Sequence, residues 1–323
     1  MVTAAGEMPV FDRRHIPDGA RESRWRAGDG HLIRQLEWAP PAGRLRGSLL
    51  FLCGRGDAYE KYLEALEHWR RQGWQVTAAE WRGQGGSGRL GLDATTGHID
   101  DFALWLDDLA AFWRAWTVRH PGPHVLAGHS MGGHLVLRAA AERMLEPAPS
   151  ALVLSAPMLD IGPDALPGLL KRALAALMVR VGDPRRPAWK TSEKPGGKVL
   201  SRQTLLTHSD DRYADELWWR GERPELAMGP GSWGWMAGAV RSIQRLNRPG
   251  LLEAVTTPCC IIATAADRLV SPRAIRRTVS RLPRAEVRWF GTEARHEILR
   301  EVDAVRLPAL ATIDSFLDRV TAA

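Results

Sequence analysis

Six short apolar runs recur along the chain, at residues 49–52, 76–79, 125–127, 152–154, 261–263 and 287–290. Each has the length of a β-strand, and between several of them lie longer stretches with helical periodicity, for example 102–116 and 135–144. Strands alternating with helices predict an α/β fold, a parallel sheet covered by helices on both faces, with ligands at the carboxyl ends of the strands. The alternation stops between Pro157 and Pro249, where the chain reads as helices separated by Pro and Gly clusters. The expected organisation is therefore a core in two parts, 1–156 and 250–323, interrupted by a helical cap at 157–249. Inside the cap, Leu166, Leu169, Leu170, Leu174, Leu177 and Met178 form an amphipathic stripe flanked by Lys171, Arg172 and Arg180. Packing of that stripe on the sheet domain is the first expectation, and contact with a lipid surface the second.

Composition narrows the field. The 323 residues are 45% hydrophobic and 25% charged, which suits a globular protein and excludes a disordered tail, a collagen-like repeat or a disulfide-stapled miniprotein. The formal charge of +7 is dispersed in pairs such as Arg185-Arg186, without the clustering that a nucleic-acid-binding face requires. Cys53, Cys259 and Cys260 give neither a disulfide framework nor a zinc-ligand spacing. Reduced thiols fit a cytoplasmic protein. Glu7, Asp12, Asp18 and Glu22 interrupt the first thirty residues, which lack the apolar core of a secretory signal. No uninterrupted apolar stretch reaches the length of about 18 residues that would suggest a transmembrane helix. No cofactor and no metal are expected.

The strongest chemical signal is Gly128-His129-Ser130-Met131-Gly132, between the apolar run ending at Ala127 and a helical stretch. Strand, Gly-X-Ser-X-Gly and helix make the setting of a nucleophile elbow, a strained turn that lifts the serine hydroxyl above the sheet. Side chains at positions 128 and 132 would collide with the crossing strand and helix, so both must be Gly. The turn aims the Met131 N–H, at the helix start, toward the place where an attacked carbonyl gains negative charge. A second such donor is expected from the Cys53-Gly54-Arg55-Gly56-Asp57 loop, with the Arg55 N–H as the candidate.

Serine needs a general base near neutral pH, and the base needs a carboxylate to fix its tautomer. In such folds the chain order is Ser, acid, His. His296 is the only histidine beyond residue 208 and follows the run ending at Phe290; Asp267 follows the run at 261–263, again past a strand's carboxyl end. Asp160 is the rival acid. His129 adjoins Ser130, but neighbouring side chains at such a turn point apart, and it reads as a buried residue behind the elbow.

Gly83-Gln84-Gly85-Gly86-Ser87-Gly88 satisfies a dinucleotide-binding pattern, yet turn residues follow it where a helix N-terminus would have to hold the pyrophosphate. The same region belongs instead to a series of motifs. Gly54-Arg55 with Tyr59-Glu60-Lys61-Tyr62, then Trp81-Arg82-Gly83-Gln84-Gly85, then Gly97-His98-Ile99-Asp100-Asp101-Phe102 precede or follow one another in order. Ala266-Asp267-Arg268-Leu269-Val270 and His296-Glu297-Ile298-Leu299 come later. With the elbow, this series resembles the α/β-hydrolases of the bacterial lysophospholipase and monoacylglycerol lipase group, over residues 25 to 320. Leu205-Leu206-Thr207, Asp211-Arg212-Tyr213 and the segment Gly229 to Trp235 look closer to the lysophospholipase branch. Two positions depart from the usual pattern: Cys53 stands where His precedes the oxyanion donor, and Glu80 stands in place of Asp.

The resemblance implies the α/β-hydrolase fold, a mostly parallel eight-stranded sheet with an inserted helical cap. It implies hydrolysis of a single-chain lipid ester, a lysophospholipid or monoacylglycerol, through an acyl-enzyme on Ser130. A general carboxylesterase, thioesterase or serine peptidase could use the same residues, and a binding protein on a hydrolase scaffold would have a broken triad. Trp218, Trp219, Trp233 and Trp235 are candidates for the wall of an acyl channel. Peripheral contact with an anionic membrane surface is the one partner expected besides substrate.

Overall fold

The computed structural model describes residues 11–161, 168–189 and 199–322. Its strands are β1 (Ala20–Arg26), β2 (Leu32–Trp38), β3 (Gly47–Leu52), β4 (Trp74–Ala79), β5 (His124–His129), β6 (Ala151–Ser155), β7 (Cys259–Thr264) and β8 (Ala285–Phe290). They form one eight-stranded sheet in the order β1-β2-β4-β3-β5-β6-β7-β8. β2 runs antiparallel to β1 and β4, and the other pairs are parallel. The six predicted strands are β3 to β8. β1 and β2 escape a search for apolar runs: β1 reads Ala-Arg-Glu-Ser-Arg-Trp-Arg, a charged edge strand that discourages pairing with another chain.

Helices α1 (Leu63–Arg71), α2 (Phe102–Arg119) and α3 (Met131–Ala141) lie between the early strands, and α4 (Gly168–Arg180), α5 (Val199–Leu206), α6 (Asp210–Glu222) and α7 (Trp233–Leu246) between β6 and β7. α8 (Pro272–Val279) and α9 (Asp303–Thr321) complete the chain. The strands divide their buried residues between two cores. Leu50, Leu52, Leu126, Leu152, Leu154 and Ile261 meet Trp105, Trp113 and Leu135 of α2 and α3 on one face. Leu49, Phe51, Val125, Val153 and Ile262 meet Leu66, Trp69 and Phe316 of α1 and α9 on the other. Neighbouring residues of one strand thus feed opposite cores, as strand pleating demands.

One topological step positions the chemistry. The chain leaves β3 for β4 on one side, then crosses to β5 on the other, so the loops after β3 and β5 open beside each other at the carboxyl end of the sheet. Leu52 is paired with Gly128 in that register, which sets Cys53 to Asp57 against the His129-Ser130 turn.

Between β6 and β7 no strand occurs among the described residues. α7 is tied to the core: Ser232 caps its start by accepting from the Trp235 N–H at 3.0 Å, and His134 Nε2 of α3 lies 2.6 Å from Ser242 Oγ. The expected packing of the leucine stripe on the sheet domain does not hold for its described leucine side chains. α4 packs on α7 and buries the small Ala175, while Leu170, Leu174 and Leu177 remain 52%, 45% and 56% exposed. The close approach permitted by Ala175 turns the leucine face outward. Leu166 and the side chain of Leu169 lie outside the described residues.

Candidate active site

Ser130 occupies the junction of β5 and α3 with φ 51° and ψ −115°, a conformation an L-residue adopts only under constraint, at a cost of about 1–3 kcal/mol. The constraint comes from backbone bonds: the Ser130 N–H donates to Ser155 O at 2.9 Å, and Ser130 O accepts from Met158 N at 2.9 Å and His134 N at 3.0 Å. Space around the turn explains its glycines. A Cβ on Gly132 would stand 2.4 Å from Cys53 O, and one on Gly128 would stand 2.7 Å from Gly132 C. Met131 is the first residue of α3, so its N–H has no intrahelical acceptor.

His296 and Asp267 converge on this serine from the loops after β8 and β7. His296 Nε2 lies 2.9 Å from Ser130 Oγ, and His296 Nδ1 lies 2.8 Å from Asp267 Oδ2. The second carboxylate oxygen of Asp267 accepts from the Leu269 and Val270 N–H groups at 2.8 and 3.0 Å, which locks its orientation. Burial disfavours the Asp267 carboxylate, but the facing His296 and those N–H groups outweigh it and hold the carboxyl below its ordinary range. Burial likewise opposes an imidazolium at His296, yet Asp267 first, then Glu297 and Asp57, raise its pKa above the usual value. Asp160 engages its own loop, accepting from the Ile161 N–H at 2.8 Å.

His129 sits behind the turn. Its Nδ1 lies 2.9 Å from Asp57 Oδ2 and 2.8 Å from the Tyr62 hydroxyl, and its ring centroid is 4.9 Å from that of His296. Asp57 Oδ2 also accepts from the Gly54 N–H at 3.2 Å and the Tyr62 O–H at 2.9 Å. Lys61 extends this arrangement. Its ammonium donates to Asp57 and to Glu297, each at 2.5 Å, and stands 3.2 Å from Glu216 of α6. Arg300 closes the group through Glu216 and Glu297. Burial acts against the Lys61 charge, but Asp57, Glu216 and Glu297 more than offset it and raise its pKa. One buried cation therefore joins the loop after β3, the residue that follows His296, and the helical segment. Sequence reading noted Lys61 within a motif but missed this role; the i, i+4 spacing of Asp57 and Lys61 was the available signal.

The four tryptophans separate. Trp235 reaches the residue after Ser130, with its indole N–H donating to Met131 Sδ at 3.4 Å. Trp219 packs into the core on the α1 and α9 side, and its indole N–H donates to Arg13 O at 2.9 Å. Trp218 meets Trp219 edge-on, and Trp233, partly exposed, begins α7 with its backbone N–H bonded to Arg186 O. At the two unusual positions, Cys53 is buried with its carbonyl accepting from Trp81 Nε1 at 2.8 Å, and Glu80 pairs with Arg34 at 2.6 Å and accepts from the Ser87 hydroxyl at 2.9 Å. The Gly83 to Gly88 loop closes on itself through a Gly83 N–H to Ser87 O bond of 3.1 Å, and α2, the next helix, begins only at Phe102.

The profile of the serine aminopeptidase S33 hydrolase family matches residues 43–303. The chain belongs to that family. Lysophospholipase L2 of Escherichia coli strain K12 is 31% identical over 286 residues, covering 84% of this chain and 80% of that protein. A probable lysophospholipase L2 of Haemophilus influenzae is 25% identical, covering 89% and 87%. Among solved structures, a soluble variant of monoglyceride lipase from Saccharomyces cerevisiae superposes with a TM-score of 0.75 at 18% identity, covering 98% of this chain and all of that one. A thermostable carboxyl esterase from Bacillus coagulans gives 0.72 at 16% identity, covering 95% and 100%. The fold is that of the α/β-hydrolases, and the protein is an enzyme of the esterase and lipase class.

Proposed function

We propose that this hydrolase cleaves carboxylic esters of single-chain lipids, a lysophospholipid or monoacylglycerol, through an acyl-enzyme on Ser130. The observation that carries the reading is the relay from Ser130 Oγ through His296 to Asp267, at 2.9 and 2.8 Å. Ser130 Oγ attacks the acyl carbon while His296 Nε2 takes its proton; Asp267 fixes the tautomer and stabilises the imidazolium. The Arg55 and Met131 N–H groups hold the oxyanion. When the carbonyl re-forms, the C–O bond to the glycerol side breaks, and His296 returns its proton to the departing alkoxide. Water, deprotonated by His296, then attacks the acyl carbon and releases the fatty acid, and Ser130 Oγ regains its proton.

The 157–249 segment acts as a cap, with Trp235 against Met131, the residue after Ser130. The substrate class rests on the lysophospholipase L2 relatives together with the motifs quoted from the sequence. The outward leucines of α4, with Arg172 and Arg180 exposed beside them, rest on an anionic lipid surface. A panel of p-nitrophenyl esters of rising chain length, lysophosphatidylcholine, monoolein, an acyl-CoA and an aminoacyl amide tests the substrate class. The lipid esters should give the highest kcat/KM. A preference for the amide or the thioester contradicts it.

A further inference from the structure

The turn after β4 grips the loop after β3 at two points. The indole N–H of Trp81 donates to Cys53 O at 2.8 Å, and Gln84 Oε1 accepts from the Gly56 N–H at 3.0 Å. Both side chains are buried, and the Gln84 N–H donates to Trp81 O at 2.9 Å, which ties them into one unit. The Ser87 N–H donates to Gln84 O, also at 2.9 Å, and the Ser87 hydroxyl donates to Glu80, so the turn is itself held. The gripped loop lies beside the nucleophile. A Cβ on Gly54 would stand 3.2 Å from Ser130 Cβ, and one on Gly132 of the elbow would stand 2.4 Å from Cys53 O. The peptide joining Gly54 to Arg55, whose N–H is the proposed second oxyanion donor, thus has a held plane on each side. Before it, the peptide of Cys53 and Gly54 is bonded through its carbonyl to Trp81 and through its N–H to Asp57 at 3.2 Å. After it, the peptide of Arg55 and Gly56 is bonded through its N–H to Gln84.

From this arrangement we infer that Trp81 and Gln84 are positioning residues of the reaction, which together aim the Arg55 N–H at the oxyanion. The inference rests on the acyl-enzyme reading above and names what holds one of its two donors. A peptide plane is rigid and turns only about the bonds to its two Cα atoms. With the planes on both sides held, reversal of the Arg55 N–H falls on ψ of Gly54 and φ of Arg55 alone. It would drive the φ of Arg55 to positive values, which a residue with a Cβ resists. Release of either flanking plane lets that plane turn as well and relieves the resistance. The glycines permit the close approach to Ser130 but supply no stiffness of their own, and Gly56 already stands at φ 69°. Stiffness must come from the side chains that hold the planes. A donor oriented in advance costs no reorganisation as charge develops on the carbonyl oxygen, so its aim acts on the transition state more than on bound substrate. The Gly83 to Gly88 motif, whose glutamine makes this contact, thereby gains a place in the hydrolase.

Gln84→Met keeps the length of the side chain and removes its acceptor; Trp81→Phe keeps a ring against Trp105, now 6.1 Å away between centroids, and removes the indole donor. On p-nitrophenyl butyrate, kcat and kcat/KM of each variant should fall together by about 10- to 100-fold with KM within about threefold of wild type, since a misaimed donor forfeits part of the roughly 10²–10³ that a missing one costs. The inhibition constant of an alkyl trifluoromethyl ketone, which Ser130 Oγ adds to as a tetrahedral oxyanion, should rise by a similar factor. A side chain that only fills space leaves both readouts unchanged in the folded enzyme, and thermal unfolding establishes that each variant is folded. Unchanged kcat and inhibition constant in a folded variant overturn the inference, and so does a fall in kcat with an unchanged inhibition constant. Should one variant fail to fold, the other decides by the same two readouts. A wild type that hydrolyses no ester, or Ser130→Ala as active as wild type, overturns the acyl-enzyme reading and this inference with it. A wild type active through Ser130 beside insensitive variants overturns this inference alone.

Discussion

In the proposed mechanism His296 must be neutral to accept the Ser130 proton, and Asp267 raises its pKa above the ordinary 6.5. The ascending limb of kcat/KM against pH on an uncharged ester should therefore have its midpoint above 6.5. Asp267→Asn removes the largest group that raises it, so the limb should move to lower pH while turnover falls by about 10³–10⁴. An Asp267→Asn enzyme of near-normal turnover, with Asp160→Asn impaired instead, would transfer the acid role to Asp160. The same proton linkage has a stability side. A His pKa raised by a carboxylate contributes stability fully present below the unfolded value and lost as pH rises through the folded one. Optimal turnover and this contribution to stability thus lie on opposite sides of the His296 titration.

Two elements carry predictions of their own. The Lys61 cluster joins the 3₁₀ turn Tyr59–Tyr62 to α6 and to the loop of His296. Lys61→Met removes the ammonium shared by Asp57, Glu216 and Glu297 while Arg300 still pairs the two glutamates, and removal of one partner from such a buried group costs about 3–5 kcal/mol. Thermal unfolding of Lys61→Met should begin several degrees below wild type, and an unchanged Tm would show that the cluster contributes nothing. α4 makes a different claim. If its outward face meets lipid, replacing Leu170, Leu174 and Leu177 together by Ser should weaken binding to phosphatidylglycerol-containing vesicles at least about tenfold, since each partly buried leucine contributes on the order of 1 kcal/mol. Added salt should weaken the wild type further, because the flanking arginines act through screened charge. Absent or salt-insensitive binding removes the proposed surface contact.

Across the whole molecule, what could be read in advance follows from how local each signal is. β3 to β7 are legible because strands buried on both faces are largely apolar, and β8, an edge strand with exposed Glu286 and Arg288, because Val287, Trp289 and Phe290 still mark it. β1 is not, since an edge strand facing water carries Arg and Glu at most positions. The elbow is legible because steric demand fixes Gly128 and Gly132 within five residues of sequence. Asp267 and His296 could be found because each must follow a strand end in a set order. Of the Lys61 cluster only the local Asp57 to Lys61 spacing is legible, since Lys61 and Glu297 are 236 residues apart and only the fold brings them together. The leucine stripe shows the limit of periodicity: it marks an apolar face correctly but does not say whether that face turns inward, which here depends on Ala175 and α7. Among the described residues no helix is long and apolar enough to cross a membrane.

The proposed ester hydrolysis requires covalent catalysis by Ser130. Intact-mass measurement after treatment with a fluorophosphonate, followed by peptide mapping, tests it most directly. One adduct per wild-type chain on Ser130, absent from Ser130→Ala and strongly slowed in His296→Ala, is the predicted result. No adduct on the wild type, or an undiminished one on Ser130→Ala, would contradict it.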